Sequence, residues 1–258
     1  MAKTQNFSNY DNIRPIESIK NQEYYHVILL IDSSESMLFP FLKDKSNWHN
    51  KESEDYNRAI RLTQDKMIEA HEKALKALRG SISCNECFLK ITQYTFSSAK
   101  KQLNDATELS SIGHDSVTKL TVDNYKPYNG TALYNTIHEA LNLVFNKHLK
   151  IALDESKRVD KVTIGVITDG EDTVIHGYEK ETKISEIKLL MKTLRGDEKY
   201  THLVSSVLIG LTSDDFSIKK LNEVKEDLGF DFSVSITKSD EKAIRKAFKL
   251  FSTEAAQP

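Results

Sequence analysis

Three short stretches of this chain carry side chains that could do chemistry together. Asp32, Ser34 and Ser36 alternate in Asp32-Ser-Ser-Glu-Ser36, Thr131 closes Asn129-Gly-Thr131, and Asp169 stands in Thr168-Asp-Gly-Glu-Asp172. Brought together they offer the carboxylates of Asp32 and Asp169 and the hydroxyls of Ser34, Ser36 and Thr131, all of them oxygen donors. Such a set suits a hard divalent cation, Mg²⁺ or else Mn²⁺ or Ca²⁺, and not Zn²⁺ or Cu²⁺. Alternate spacing lets one loop wrap several oxygens around an ion, and Gly130 and Gly170 permit tight backbone beside Thr131 and Asp169. Each residue also has a plainer use. Ser34, Ser36 and Thr131 fit helix N-caps, Asp169-Gly170 fits an ordinary turn, and Glu35, Glu171 and Asp172 fit a solvated rim or a layer behind the ligands.

Other chemistry-bearing residues form weaker patterns. Cys84 and Cys87 make a lone Cys-Asn-Glu-Cys with no second pair for zinc, and Cys87 leads into a strand-like run where a redox motif would open a helix. They read as ordinary thiols of a reducing compartment. His138-Glu139 is followed by Asn142 where a zinc-protease helix needs a second histidine. His71 lies on an apolar helical face and reads as a core or boundary residue, and nothing requires His49 or His176 as ligands.

The elements that must position the candidate ligands are legible from apolar periodicity. Tyr24–Ile31 and Lys161–Thr168 are nearly continuous apolar runs, the mark of strands buried on both faces, and each leads into an acid. Further strands are expected at Cys87–Phe96, Lys101–Leu103 (a short edge strand), Leu203–Ile209 and Phe232–Ile236. Helical spacing covers about 57–78, 132–149, 184–194, 217–228 and 241–251. This alternation predicts an α/β fold: a Rossmann-like, doubly wound, mostly parallel sheet of about six strands flanked by helices. Ligands of such sheets gather outside the carboxyl ends of the strands, where both acids would arrive. Residues 1–23 have no steady period and read as an extended arm; 24–258 read as a single domain.

In order and in context, these motifs resemble the von Willebrand factor A-type domain with a complete metal-ion-dependent adhesion site. The resemblance spans residues 24 to about 252 and rests on Asp32-Ser-Ser-Glu-Ser-Met37, Asn129-Gly-Thr-Ala-Leu-Tyr134 and Ile167-Thr-Asp-Gly-Glu-Asp172. It implies that Ser34, Ser36 and Thr131 are hydroxyl ligands and that Asp32 and Asp169 bind directly or through water. It further implies an open coordination position that a partner protein fills with an Asp or Glu carboxylate, and in some members a last helix that slides. Stand-alone bacterial relatives often work with AAA-type ATPases or stress-response components, which names a class of partner by analogy. Residues 38–56 depart from the family pattern by delaying the first helix. They read either as an extended or kinked helix start around Pro40, or as an insertion beside the ion bearing a partner-binding rim of Phe39, Phe41 and Trp48, with Glu171 nearby.

Composition bounds the function classes. Thirty-six basic against 38 acidic residues, a net charge of −2, give no electrostatic drive toward nucleic acid or anionic membrane, and seven arginines are few for phosphate recognition. The longest aliphatic run, Val27–Ile31, is far short of the ~18 residues a membrane span needs, and Met1–Tyr10 lacks a signal-peptide profile. The expectation is a cytoplasmic, non-enzymatic protein-binding domain. Two alternatives stand beside it: a Mg²⁺-dependent haloacid-dehalogenase-like phosphatase with Asp32 as nucleophile, and a scaffold with a vestigial metal site. The phosphatase needs a second Asp at position 34 as general acid, where this chain has Ser34.

Overall fold

Val27–Ile31 is apolar at every position, so neither face of this strand can be left to water. In the computed structural model, which describes residues 23–81, 87–108, 116–149, 159–169, 172–196, 204–211 and 215–236, it is the heart of β1 (Glu23–Asp32). Alternation divides its side chains between two cores. Ile28 and Leu30 join one with Ile164, Val166 and Leu208, whereas Val27, Leu29 and Ile31 join the other with Ile167, Val207 and Ile209.

The remaining strands are β2 (Cys87–Phe96), β3 (Lys100–Glu108), β4 (Val159–Thr168), β5 (Val204–Leu211) and β6 (Phe232–Ile236). They form a six-stranded sheet in the order β3-β2-β1-β4-β5-β6, with β3 antiparallel to β2 and every other pairing parallel. Helices α1 (Glu54–Ser81), α2 (Leu133–Leu143), α3 (Gly177–Gly196) and α4 (Asp215–Leu228) flank it. Met67, Ala70, Ala74, Leu75 and Leu78 of α1 pack on one face, and α2, α3 and α4 supply Leu133, Ile137, Leu141, Ile187, Met191, Leu221 and Val224 to the other. The doubly wound, mostly parallel architecture agrees with the expectation from the sequence.

Several boundaries differ, for physical reasons. Helix α1 starts at Glu54 because Ser53 Oγ accepts the Tyr56 N–H at 3.1 Å, a cap that lies ahead of the apolar period. The first turns of α3, from Gly177, are mostly exposed and polar, so nothing apolar marks them. Strand β3 runs to Glu108, well beyond Leu103, as a polar edge strand. Helix α2 ends in a π-helical turn at Val144–Leu149. The arm up to residue 22, Cys84, Gly170, Glu171 and the helix expected at 241–251 lie outside the described residues.

Residues 35–53 replace a simple helix start with two 3₁₀ helices, Glu35–Phe41 and Lys45–His49. They close on a small core of their own: Leu38, Leu42, Tyr56 and Ala59, with Phe39, Phe41, Trp48 and Ile60 packed against it. Phe39 and Trp48 stack with ring centroids 4.2 Å apart. Asp55 accepts the Lys43 and Asp44 N–H groups, and Arg58 bonds both Asp55 and the Phe41 carbonyl, tying the segment to α1.

A buried polar chain fixes the long loop between β3 and α2. His71 of α1 donates from Nε2 to Gln93 Oε1 of β2 and accepts the Leu120 N–H at Nδ1 (3.3 Å), and Gln93 reaches the Thr118 carbonyl at 3.1 Å. Burial pushes the His71 imidazole down from 6.5 to about 4. Its folded value lies below its unfolded value, so this contribution is whole above pH 6.5 and lost as pH falls toward 4. Urea titrations of wild type and His71→Gln between these limits are expected to diverge by about 1–3 kcal/mol, the variant being the less pH-dependent. Parallel slopes would refute a buried neutral His71.

Candidate metal centre

The register places the two acids. Ile31 of β1 pairs with Ile167 of β4, so Asp32 and Thr168 end neighbouring parallel strands and Asp169 follows at the same edge. Strands β1 and β4 are also where the order of the sheet reverses: β1 leads through α1 to β2 on one side, and β4 to β5 on the other. This is the crevice that open α/β sheets leave for ligands.

Three loops meet there and are stitched backbone to backbone. The 33–35 segment receives the Tyr128 N–H at the Ser33 carbonyl (2.9 Å) and donates the Glu35 N–H to the Asn129 carbonyl (3.0 Å). Asn129 takes a left-handed φ of 57°, a conformation Asn tolerates better than most residues. Ala132 donates to the Ser97 carbonyl at 2.7 Å, which anchors the same loop beyond the end of β2. The third loop joins through Thr173, whose N–H donates to the Thr131 carbonyl (2.9 Å) and whose hydroxyl accepts the Thr131 N–H (2.7 Å). Gly130 is required by this approach: a Cβ there would lie 2.4 Å from Thr173 Oγ1.

Asp32 is fully buried, and both of its oxygens are held. Oδ1 accepts the Ser34 N–H at 2.7 Å and Oδ2 accepts the Thr168 hydroxyl at 2.7 Å, while the Tyr125 hydroxyl donates to the Asp32 carbonyl at 3.1 Å. Burial first, and then the nearby charge of Asp169, push the Asp32 carboxyl up to about 8 in spite of the hydrogen bonds from Thr168 and Ser34. Two acids thus meet at one sheet edge, where the charge of Asp169 opposes ionisation of Asp32.

The hydroxyls of Ser34 and Ser36 lie 2.9 Å apart and bond each other. Ser34 occupies the N-cap position of the first 3₁₀ helix, yet its side chain makes no capping bond. Thr131 is buried, and the N-cap of α2 is Ala132, not Thr131. The capping role that the sequence allowed Thr131 belongs instead to Asp172. Its Oδ2 accepts the Tyr134 N–H in the first turn of α2 (2.8 Å), and its Oδ1 accepts the Val174 and Ile175 N–H groups (2.9 and 3.1 Å). Asp172 is therefore a buried clamp behind the candidate ligands, the second of the two uses that its neighbourhood allowed. Its local signal was an Asx turn, the carboxylate folding back on N–H groups two and three residues on.

The structure brings Asp32, Ser34, Ser36, Thr131 and Asp169 to one edge through these loops. Phe39, Phe41 and Trp48 are half-buried in the small core beside α1, and Glu171 lies outside the described residues. Exposed apolar side chains near the loops are instead Tyr128 and Val174. Among the described residues no group of three or more His, Cys, Asp or Glu side chains is placed to hold a metal, so any ion at this edge must draw on hydroxyl oxygens as well as the two acids. No helix among the described residues is long and apolar enough to cross a membrane.

Sequence comparison finds no matching family model and no matching curated protein. Comparison with solved structures finds many, at low identity. A von Willebrand factor type A protein from Catenulispora acidiphila is similar over 91% of this chain at 12% identity, with a TM-score of 0.53. The PilB minor pilin of Streptococcus sanguinis matches 93% at 13% identity (TM-score 0.53), and the vWF domain of the type V pili tip protein Mfa5 from Porphyromonas gingivalis matches 92% at 10% (TM-score 0.51). The chain spans 43% and 63% of the first two structures and 96% of the Mfa5 domain. With strand order, switch point and loop cluster in hand, these likenesses show that the chain has a von Willebrand factor A-like fold.

Proposed function

We propose that this domain binds a protein partner through a divalent cation, Mg²⁺ or else Mn²⁺ or Ca²⁺, held by Asp32, Ser34, Ser36, Thr131 and Asp169. The observation that carries the reading is the pairing of two buried-edge acids with hydroxyls that no helix end consumes. Ser34 and Ser36 bond each other, Asp172 does the capping at α2, and Asp32 is oriented from both sides by Ser34 and Thr168. When bound, the ion supplies positive charge and an open coordination position suited to a partner's Asp or Glu. The chain's own residues position it: Asp32 is locked by the Ser34 N–H and Thr168, Thr131 is aimed by its paired bonds with Thr173, and three neutral hydroxyls beside the two acids leave the ion much of its positive charge.

Pilus components among the structural neighbours favour binding over catalysis. The setting we propose is cytoplasmic, with AAA-type ATPases and stress-response components as the first partners to seek. Thr131→Ala tests the reading, because it removes one hydroxyl and leaves both acids in place. In lysate pull-downs, Mg²⁺-dependent, chelator-sensitive capture is expected from wild type and is expected to be lost in Thr131→Ala. Trp48→Ala, in the small core beside α1, is expected to retain it; a loss there equal to that in Thr131→Ala would move the recognition element to residues 38–56. Mg²⁺-dependent hydrolysis of an aryl phosphate, abolished by Asp32→Asn, would overturn the binding reading in favour of a phosphatase.

A further inference from the structure

A groove of about 570 Å³ opens beside the candidate ion site, between α1, the ends of β2 and β3 and the loop leading to α2. Its size falls in the ordinary range for ligand sites. Ser33, the residue between Asp32 and Ser34, lines one end together with Tyr128, so groove and ion site share a wall. Ile60 and Ala99 give it an apolar side, and Lys101 and Lys126 stand at its margin. Gln64 adds no free donor, since its side-chain nitrogen is taken by the Tyr125 and Val122 carbonyls at 2.9 and 3.3 Å.

The charges are unbalanced. Both lysines are exposed, and no carboxylate among the described residues forms an ion pair with either; Asp123 is the acid that lines the same groove. Tyr128 leaves 46% of its surface exposed where the groove meets the loop cluster. Aromatic surface with flanking lysines, continuous with the ion site proposed above, is complementary to an extended acidic segment.

Resting on the ion-mediated reading above, we infer that this groove is a second subsite for the same partner segment. It receives an apolar side chain against Ile60 and Tyr128 and a second acidic residue at Lys101 and Lys126, while the first acid meets the ion. The domain then recognises two acids at a fixed separation, and not a lone Asp or Glu.

The test uses biotinylated peptides on streptavidin beads, each with one fixed Asp and a single Glu walked one position at a time to either side. A peptide with the Asp alone is the reference. In Mg²⁺ the full chain is expected to prefer one Glu position over the reference by about fivefold, the gain available from two exposed lysines. The double variant Lys101→Glu, Lys126→Glu is expected to lose that preference and still capture the reference peptide in a chelator-sensitive way. Both substitutions are at exposed positions, and an unchanged thermal midpoint confirms the fold. Equal binding at every Glu position, or a preference that survives charge reversal, overturns the second subsite while leaving the ion reading intact. A lysine-dependent preference that persists in chelator shows an independent anion site and overturns the linked segment. Capture of no peptide at all in Mg²⁺ overturns the ion reading itself, and the subsite with it.

Discussion

Asp32→Asn is expected to abolish stabilisation by Mg²⁺ and, in metal-free buffer near pH 8, to be more stable than wild type. The two effects have one cause. The Asp32 carboxyl is buried beside Asp169, and its folded value of about 8 lies far above the 3.8 of an unfolded chain. A raised carboxyl contributes stability that is whole below the unfolded value and lost as pH rises through the folded one. Metal-free wild type therefore loses stability between about pH 4 and pH 8, by an amount of order 5 kcal/mol. Asparagine is nearly isosteric. It still accepts the Ser34 N–H, and its amide donates to the Thr168 hydroxyl, so the variant flattens the slope without opening a cavity. An ion held at this edge reverses the electrostatics, since the charged carboxylate is the form it binds. At about a hundredfold over Kd, Mg²⁺ adds ~2.7 kcal/mol, which for a chain of this size is a midpoint rise of roughly 5–10 °C. Thermal melts in Mg²⁺ and in chelator, at several pH values, read both effects. A Mg²⁺ shift retained in Asp32→Asn would remove Asp32 from the ligand set.

The opposite behaviour of His71 makes the comparison clean. Its lowered value costs stability as pH falls below 6.5, whereas Asp32 costs stability as pH rises above 4, so the two oppose each other in the window they share. Only wild-type-minus-variant differences isolate either group.

Asp172→Ala is expected to be the most destabilising single change at the loop cluster, by about 3–5 kcal/mol. One buried carboxylate satisfies the N–H groups of Tyr134, Val174 and Ile175, and alanine leaves all of them without an acceptor. It also unhooks the third loop from α2, so Thr131 and Asp169 lose their mutual placement. Affinity for Mg²⁺ is expected to fall at least tenfold even where the protein remains folded. Asp172→Asn keeps one acceptor oxygen and is expected to fall between the two. Urea unfolding gives the stability change, and calorimetric titration with Mg²⁺ gives the affinity. If Asp172→Ala lies within about 0.5 kcal/mol of wild type, as an ordinary surface substitution would, the clamp is disproved.

Much of the fold could be read in advance because its signals are local. Val27–Ile31 and Val162–Ile167 are apolar enough to require cover on both faces, and α1 carries its apolar stripe in the spacing of Met67, Leu75 and Leu78. Stretches of polar character were read too short. The edge strand expected at Lys101–Leu103 runs on to Glu108, and it and the opening turns of α3 bury too little to leave a period, while the start of α1 depended on the single hydroxyl of Ser53. The candidate ligands were legible for a related reason: an acid directly after a buried strand is delivered to a known edge of the sheet.

By itself, then, the sequence determined the strand–helix alternation, the delivery of Asp32 and Asp169 to one sheet edge, and a set of donors that are all oxygen. These follow from periodicity and residue type, which need no knowledge of distant neighbours. Tertiary structure decided the rest: that Ser34 and Ser36 bond each other and cap nothing, that Asp172 caps α2 in place of Thr131, and that Phe39 and Trp48 stack on one another beside α1. A polar side chain's role depends on which N–H or hydroxyl it meets. Here the meeting groups come from loops more than thirty residues apart, Thr131 with Thr173 and Tyr134 with Asp172, and only the closed sheet brings them within hydrogen-bond reach.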